Sequence, residues 1–586
     1  MDSVAAHVDN PGRPAGPQPP AQARRAEPAG SEAQEGHLVQ MLSPLSKAGT
    51  NIILAAMQNT SASSAQEERP GASPGEDGAA PARAPRAAGR RGARPRAVVI
   101  GSGFGGLAAA VRLGVRGYEV TVVEKLDAPG GRAYVHRQDG FTFDAGPTVI
   151  TAPFLFEELW QLCGRKMADD VDLRPVTPFY RIRFHDGVTF DYTGDAAAMR
   201  AEVARLSPGD VAGYERFVKT SEAIFRVGFE ELAHVPFGSW TDMARIVPDM
   251  MRLESYRTVY GLVAKHVKDD RLRQVLSFHP LLVGGNPFST TSIYSLIAFL
   301  ERNWGVHFPI GGTGALVRGL VSLIEGLGGS VRCGAEVRRI SVEGGRARGV
   351  ELASGERLAA DVVVSNADSA WTYRHLVAPE ARRRWTDRRV ERQRYSMSLF
   401  VWYFGTRRQY PDVAHHTILL GPRYKPLLED IFQRHVLADD FSLYLHRPTA
   451  TDPALAPPGC DAFYVLSPVP NLLSGTDWPA TQERYRRSIA ALLEATLLPG
   501  LEGALASSRL LTPQDFQDRL LSFRGAAFGP EPVLTQSAFF RPHNASEDVE
   551  HLYLVGAGTH PGAGLPGVLS SARVLDRVVP DASTFG

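Results

Sequence analysis

The stretch that decides the fold reads Arg-Ala-Val-Val-Ile-Gly-Ser-Gly-Phe-Gly-Gly over residues 96–106 and Glu-Val-Thr-Val-Val-Glu-Lys over residues 119–125. The apolar run 97–100 predicts a short buried strand, and a helix is expected to continue over 107–113. A second apolar run ends on Glu124. A Gly-x-Gly-x-x-Gly turn in this context of strand, turn, helix, strand and acid is typical of a dinucleotide-binding unit.

Each part of this turn has a physical role. Gly101 permits the tight turn, and Gly103 lets the backbone approach a pyrophosphate at the helix N-terminus, where free N–H groups favour anions. Gly106 lets the helix pack closely on the strand. Glu124 would accept hydrogen bonds from the adenosine ribose, which disfavours NADP and leaves FAD or NAD. The cofactor-binding residues predicted in this unit are Gly101, Ser102, Gly103, Phe104, Gly105, Gly106, Glu124 and Lys125.

A second glycine pair separates FAD from NAD. Pro129-Gly130-Gly131-Arg132 follows the acid, and it resembles the extended motif of the FAD-dependent amine oxidase and phytoene desaturase superfamily. Gly130 and Gly131 let the chain pass close to the cofactor, and Arg132 supplies a cation for its phosphates. The turn Gly146-Pro147-Thr148 is either an ordinary hairpin or a close approach to the flavin ring, and the resemblance favours the second interpretation.

Composition bounds the class of protein. The chain has 586 residues and a formal net charge of +1, which gives no indication of nucleic acid binding. Cys163, Cys333 and Cys460 lie far apart and form no metal or disulfide pattern, so no metal site is predicted. We find no apolar run of about 18 residues that would cross a membrane and no evident secretory signal.

The predicted fold class is α/β. A Rossmann-like FAD-binding domain, discontinuous and built from a parallel sheet plus a β-meander, carries an inserted mixed α+β substrate domain. Residues 1–95, rich in Ala, Pro and Gly, are expected to form a disordered leader with too little apolar surface to fold. The predicted segments after it are 96–150, 308–370 and 545–586 for FAD, and 151–307 and 371–544 for the substrate.

The C-terminal part supplies a second backbone cradle. A predicted strand at 551–555 runs into a glycine-rich loop and then a helix at 569–579. Many flavoproteins have an Asp in this loop, and here the loop lacks one, so backbone N–H groups, with Thr559, are expected to bind the cofactor. The further cofactor residues predicted are Gly556, Gly558, Thr559, Gly567 and Val568. The resemblance to the superfamily adds Val337, which lies where the strand on the adenine side runs in that superfamily.

With these residues in view, positions 96–580 or so resemble the bacterial phytoene desaturases. The matching stretches 99–106 and 129–134 are shared by the superfamily, and 140–150 matches as well. Stretches 278–288, 308–316, 532–537 and 553–568 are more particular to carotenoid desaturases. The resemblance implies FAD-dependent removal of hydrogen from phytoene, giving neurosporene or lycopene. It also implies quinone or oxygen as electron acceptor. An enzyme on the cytoplasmic side, bound peripherally to the inner membrane surface, is expected, because the substrate dissolves in lipid.

The aromatic and Met-rich insert suits a hydrocarbon ligand, although most of its apolar residues must be core. Asp242 within it is the candidate acid or base, or else only a residue of a surface helix. His279 and His560 are weaker candidates. Three alternatives stay open: a different carotenoid desaturase or isomerase, an amine oxidase, and a non-enzymatic flavin- or carotenoid-binding protein.

Overall fold

The structure is a computed structural model, and it describes residues 94–585. The predicted leader lies outside the described residues, except for its last two, Arg94 and Pro95. Arg94 donates hydrogen bonds to the carbonyls of Gly117 and Tyr118, which ties the start of the described chain to the first unit. No helix in residues 94–585 is both long and apolar enough to span a bilayer.

Strands and helices alternate along the described chain. The strands are β1 Arg96–Ile100, β2 Glu119–Val123, β3 Val135–Gln138, β4 Phe141–Asp144, β5 Leu173–Pro175, β6 Tyr180–Phe184, β7 Thr189–Tyr192, β8 His307–Pro309, β9 Ser330–Arg332, β10 Val337–Glu343, β11 Arg346–Leu352, β12 Arg357–Ala359, β13 Val362–Ser365, β14 Ser398–Thr406, β15 His416–Leu420, β16 Leu443–His446, β17 Asp461–Val469, β18 Leu505–Leu511 and β19 Leu552–Leu554. The α-helices are α1 Phe104–Val115, α2 Pro153–Leu162, α3 Ala196–Leu206, α4 Val211–Phe225, α5 Trp240–Arg252, α6 Val259–His266, α7 Asp270–Ser277, α8 Leu296–Trp304, α9 Thr313–Gly326, α10 Ser369–Trp371, α11 Asp387–Arg392, α12 Tyr424–Glu429, α13 Trp478–Thr496, α14 Leu501–Ala504, α15 Pro513–Asp518 and α16 Leu565–Val578.

A parallel five-stranded sheet forms the first layer, in the order β19-β13-β1-β2-β9. The strands are parallel throughout and come from three separate stretches of the chain. Four residues of β1, Ala97–Ile100, are buried, and α1 packs on the sheet with an almost wholly buried surface. Near-continuous apolar runs are expected of a parallel sheet covered on both faces.

The strands of the β-meander differ from those that the sequence pattern predicts. Residues 331–340 and 357–364 are each predicted as one strand, but each divides into two. Strand β9 pairs with β2 in the parallel sheet, whereas β10 joins the antiparallel β10-β11-β12 sheet. The break falls at Gly334, whose positive φ of 66° turns the chain between the sheets.

A mixed seven-stranded sheet forms the second layer, in the order β18-β14-β17-β16-β15-β6-β7. Its neighbours are antiparallel except β15 and β6. Every residue of β14 is buried, because its alternating side chains pack into two separate apolar clusters. The parallel sheet, the meander and this second mixed sheet confirm the predicted fold class.

The apolar spacing predicts helices over 217–232 and 292–302 of the insert, and the structure has a helix at each position, the first of which begins six residues earlier. The helix predicted over 217–232 is α4, which continues as a π-helical segment over Arg226–Glu231. The helix predicted over 292–302 begins as a short 3-10 turn and becomes α8. One helix differs from the others: α5 has no buried residue.

Candidate functional site

Four loops meet at one edge of the parallel sheet. Gly101 follows β1, Glu124 follows β2, Asn366 follows β13, and the loop that begins at Val555 follows β19. Because these strands are parallel, their carboxyl ends lie at the same edge. Ligands of open α/β sheets bind in the crevice outside this edge.

The first glycine turn is closed tightly on itself. Gly101 has a φ of +89°, which side chains rarely adopt. A Cβ on Gly106 would lie 2.1 Å from the carbonyl oxygen of Gly101, so only glycine permits the contact. Helix α1 then starts after Gly103, with no capping side chain and no acid in its first turn. Its N–H groups are therefore available to an anion.

Asn366 joins the two glycine loops, and sequence analysis assigned it no role. A Cβ on Gly105 would approach Asn366 Oδ1 to 2.6 Å, and one on Gly556 to 2.7 Å. The amide thus occupies the space that the two loops share. Its place in the chain could have indicated this role, because Asn366 directly follows a strand that pairs with β1.

Hydrogen bonds from nearby residues of the chain orient the carboxylate of Glu124. Its Oε2 accepts hydrogen bonds from the N–H of Ser102 at 2.8 Å and from Ser102 Oγ at 2.7 Å. Its Oε1 accepts from Leu126 N at 2.9 Å. A carboxylate offers about four acceptor positions, so these bonds orient the group and leave capacity for a ribose hydroxyl.

Arg132 lies at the same edge, next to Gly131, where a Cβ would stand 3.3 Å from the Cα of Gly103. Its side chain is accessible to solvent, yet desolvation lowers its pKa, an effect that nearby Asp368 partly offsets. Burial likewise raises the pKa of Asp368. Arg132 donates to Ser522 Oγ at 3.0 Å. An accessible but poorly solvated cation suits the phosphate contact predicted for Arg132.

The neighbouring glycines and the start of β10 complete this side. Gly130 N is bonded to Ser102 Oγ, which places the second glycine pair against the first turn. Val337 is buried at the first position of β10. The Nζ of Lys125 donates to the carbonyl of Asp518 and lies 3.9 Å from Glu336 Oε1, and its cofactor contact stays a prediction.

The C-terminal loop is packed as tightly as the first. A Cβ on Gly558 would meet Ser369 Oγ at 2.4 Å, and one on Gly567 would meet the carbonyl of Gly562 at 2.5 Å. Helix α16, which contains Gly567 and Val568, also starts without a capping side chain or a first-turn acid. Thr559 is fully buried and donates its hydroxyl to the carbonyl of Pro542, so that proton is already used.

Gly146, Pro147 and Thr148 connect this edge to the second sheet. A Cβ on Gly146 would meet nothing closer than 4.0 Å, so the turn borders open space. Thr313 Oγ1 donates to the carbonyl of Pro147. The Thr148 hydroxyl is hydrogen-bonded to the phenols of Tyr444 and Tyr464 on the seven-stranded sheet.

Asp242 caps its own helix. Its Oδ2 accepts from Ser239 Oγ at 2.7 Å and Ser239 N at 2.9 Å, while Ser239 Oγ accepts from Asp242 N, a reciprocal capping box. The hydrogen bond from the Ser239 hydroxyl is the main cause of its lowered pKa. Asp242 is therefore ionised at neutral pH and a weak base, and its catalytic role stays a prediction.

The two histidine candidates are both buried. His560 Nε2 contacts the carbonyl of Leu232, and burial lowers the pKa of His560 to about 4. It thus ties the C-terminal loop to the insert as a neutral ring. His279 Nε2 lies 3.2 Å from Glu301, which also accepts from the phenol of Tyr180.

The residues present fit a flavin dinucleotide. Two uncapped helix N-termini follow two glycine loops, and each loop is too crowded for side chains at its central glycines. An anion such as a pyrophosphate would satisfy these free N–H groups. Glu124 and Arg132 stand where a ribose and phosphates would need an acceptor and a cation.

Known proteins agree with this arrangement. Residues 104–574 match the family described as flavin containing amine oxidoreductase. A neurosporene-forming phytoene desaturase of Cereibacter sphaeroides is 52% identical, covering 83% of this chain and 95% of its own. A lycopene-forming phytoene desaturase of Pantoea ananas is 49% identical, covering 81% and 97%. Wild-type putrescine oxidase bound to putrescine shares the fold with a TM-score of 0.57 at 14% identity, covering 83% and 99%.

These matches confirm the predicted resemblance, and with it the prediction that the cofactor is FAD. The match spans the glycine turns, the inserted helices and the C-terminal loop alike. The chain belongs to the flavin containing amine oxidoreductase family, among the phytoene desaturases.

Proposed function

We propose that this chain is an FAD-dependent phytoene desaturase, which removes hydrogen pairs from a C40 hydrocarbon to give neurosporene or lycopene. The observation that carries the proposal is the 52% identity to a phytoene desaturase over 83% of this chain, which includes cofactor edge and insert together. An amine oxidase, the main alternative of the same fold, is supported only by structures at low identity.

FAD, when bound, supplies the acceptor for the hydride that leaves the substrate. The chain's own residues bind the dinucleotide and exclude water from the carbon skeleton. Tyr403 and Tyr464 are buried and Tyr444 is half-buried next to Thr148, and the ring of Tyr464 contacts both of the others. Such a wall offers a hydrocarbon apolar contact, and it favours shape over hydrogen bonding as the basis of recognition.

The function is tested with the purified, FAD-loaded protein and phytoene in liposomes, without oxygen. Bleaching of the flavin and a carotene with a longer conjugated system are the expected results. Product analysis then distinguishes neurosporene from lycopene. A flavin reduced by an amine and not by phytoene would contradict the proposal, and so would a protein that binds phytoene without spectral change. Re-oxidation by added quinone, compared with oxygen, identifies the electron acceptor.

Asp242 is proposed as the group that accepts the substrate's proton. A weak base suffices, because loss of hydride next to a double bond gives a conjugated cation that readily loses a proton. Asp242→Asn keeps the shape and removes the charge, and it should slow flavin reduction by phytoene about 10²–10⁴-fold.

Ser239→Ala is the matched control for this role. It removes the capping hydroxyl that Asp242 contacts and keeps the carboxylate. Slow reduction in Asp242→Asn beside fast reduction in Ser239→Ala, both with full flavin content, supports proton transfer. Equal rates in Asp242→Asn and the parent would leave Asp242 with its capping role alone.

The helix α5 is proposed as the contact with the membrane surface. It has no buried residue, and its apolar side chains recur at helical spacing, from Trp240 through Met243 and Val247 to Met250. Trp240 is 59% exposed and Met251 47% exposed. An exposed amphipathic helix with aromatic and Met side chains suits the lipid interface, where phytoene is dissolved.

Flotation with liposomes tests this contact. The double variant Trp240→Ser with Met251→Ser should lose most of its lipid binding and keep its flavin. Leu473→Ser is the matched control, because Leu473 is similarly exposed at 48% but lies outside α5. If the α5 variant floats with liposomes as well as the parent protein does, another part of the protein makes the membrane contact.

A further inference from the structure

Three histidines meet inside the seven-stranded sheet. His416 begins β15 and is the direct cross-strand partner of His446, which ends β16. His415 precedes β15 by one residue, and its ring packs edge-on against both others. All three are buried, His416 and His446 completely. Paired residues on adjacent strands present their side chains on one face, which brings the imidazoles together.

Two of the ring nitrogens have a spacing close to that of ligands in one metal site, and the third lies near them. One nitrogen from each histidine lies within 4.8 Å of the others. His415 Nε2 and His446 Nε2 are 3.1 Å apart. Two nitrogens bound tetrahedrally to an ion at 2.0–2.1 Å would be about 3.3 Å apart. The pair thus lies close to the edge of a tetrahedral site.

The outward nitrogens of two rings are already fixed by hydrogen bonds. His415 Nδ1 lies 2.7 Å from Thr451 Oγ1, and His416 Nδ1 lies 2.7 Å from the phenol of Tyr444. Partners of this kind set the tautomer and the orientation of metal-binding histidines. In the described part of the chain, His416 Nε2 and His446 Nδ1 have no hydrogen-bond partner, although both are buried.

We propose that His415, His416 and His446 bind a borderline transition-metal ion of the Zn²⁺ type. Imidazole suits Zn²⁺, and a three-histidine set leaves one position for water or hydroxide. Hydroxide would partly offset the charge of the ion, since the group contains no carboxylate. The ion would satisfy the free Nε2 of His416 and fasten β15 to β16.

A hydrogen-bonded cluster without an ion is the competing arrangement. One imidazole would donate to another across the 3.1 Å contact between His415 and His446. That arrangement leaves the buried Nε2 of His416 without a partner, which is costly in a dry interior, whereas Nδ1 of His446 lacks one in either arrangement. The two arrangements differ in metal content and in the response of stability to Zn²⁺.

The test uses the full-length, FAD-loaded protein, stripped with a chelator, incubated with Zn²⁺ and desalted. We expect one tightly held ion per chain by elemental analysis and a melting temperature that rises with Zn²⁺. His416→Gln and His446→Gln should each lose the ion and the rise. His266→Gln is the matched control, because His266 lies on α6 with Thr220 as its contact.

A milder variant keeps the test informative if the glutamine variants fail to fold. Tyr444→Phe removes the hydrogen bond to His416 Nδ1 and leaves all three histidines in place. Loss of such a partner should weaken Zn²⁺ affinity about 10–100-fold. The proposal is overturned if the parent protein retains no more Zn²⁺ than the His416→Gln variant. It is equally overturned if Tyr444→Phe leaves the measured affinity unchanged.

Discussion

The helices that follow the two glycine loops begin differently from several helices in the rest of the molecule. In the cofactor region α1 and α16 start after Gly103 and Gly564, with no side chain on their free N–H groups. Around the second sheet and in the insert, α3, α5, α6, α7 and α13 start at residues whose side chains accept those N–H groups: Asp195, Ser239, Thr258, Asp269 and Asp477. A side-chain cap satisfies free N–H groups at a helix start, whereas an uncapped start leaves them to water or to a bound anion.

Helix N-termini therefore have different functions in the two sets of helices. In the cofactor region the chain leaves helix ends open, so that part of the binding energy comes from the backbone. In the insert and around the second sheet, several helix starts are closed by side chains, although α2, α4 and α8 are not. The buried polar side chains of that region include the three histidines and Glu301, which accepts a hydrogen bond from the phenol of Tyr180.

The first prediction is that one substitution in the cofactor region abolishes flavin binding. Gly103→Val places a side chain at the start of α1, where the pyrophosphate must approach, and a Cβ there would already stand 3.0 Å from Asn366 Nδ2. The purified variant should lose its flavin absorbance completely. Gly209→Val is the control, because a Cβ at Gly209 meets nothing within 4 Å. Full flavin occupancy in Gly103→Val would show that the open helix end is not the pyrophosphate site.

A second prediction concerns Asp144, which stands between the two regions. Its carboxylate accepts from the N–H of Thr313, and burial raises its pKa from 3.8 to about 6. Because the folded protein then holds the proton more tightly than the unfolded chain, stability should fall as pH rises from about 4 to 6 and stay level above that. The difference of about two pKa units corresponds to about 3 kcal/mol.

Asp144→Asn removes this dependence. The substituted amide keeps an acceptor for Thr313 N and has no charge to bury, so the variant's melting temperature should gain on the parent's as pH rises through that window. Thermal unfolding of both holoproteins at several pH values measures it. A constant difference between the two across the window would show that Asp144 titrates normally in the folded protein.

The fold was predictable where local sequence determines it. The glycine turn, Glu124 and the apolar strands lie within one short stretch, so their spacing alone indicates the parallel sheet and the cofactor. Asn366 was not assigned a role, because it reaches the glycines only through the pairing of β13 with β1. His446 and His416 meet only through the register of β15 with β16. The division of residues 331–340 between two sheets depends likewise on which strand each half pairs with.

The smallest effect is expected on the capped side, at the start of α7. Asp269 accepts a hydrogen bond from the N–H of Leu272 at 3.0 Å and lies far from the glycine loops in sequence. Asp269→Ala leaves that N–H without its cap, which costs about 1 kcal/mol. The melting temperature should fall slightly while flavin content stays complete, and Asp269→Asn, which keeps an acceptor oxygen, should lose less. If Asp269→Ala released flavin as Gly103→Val does, the two regions would not be independent. Capped and uncapped helix starts would then belong to one coupled structure and not to two regions that act separately.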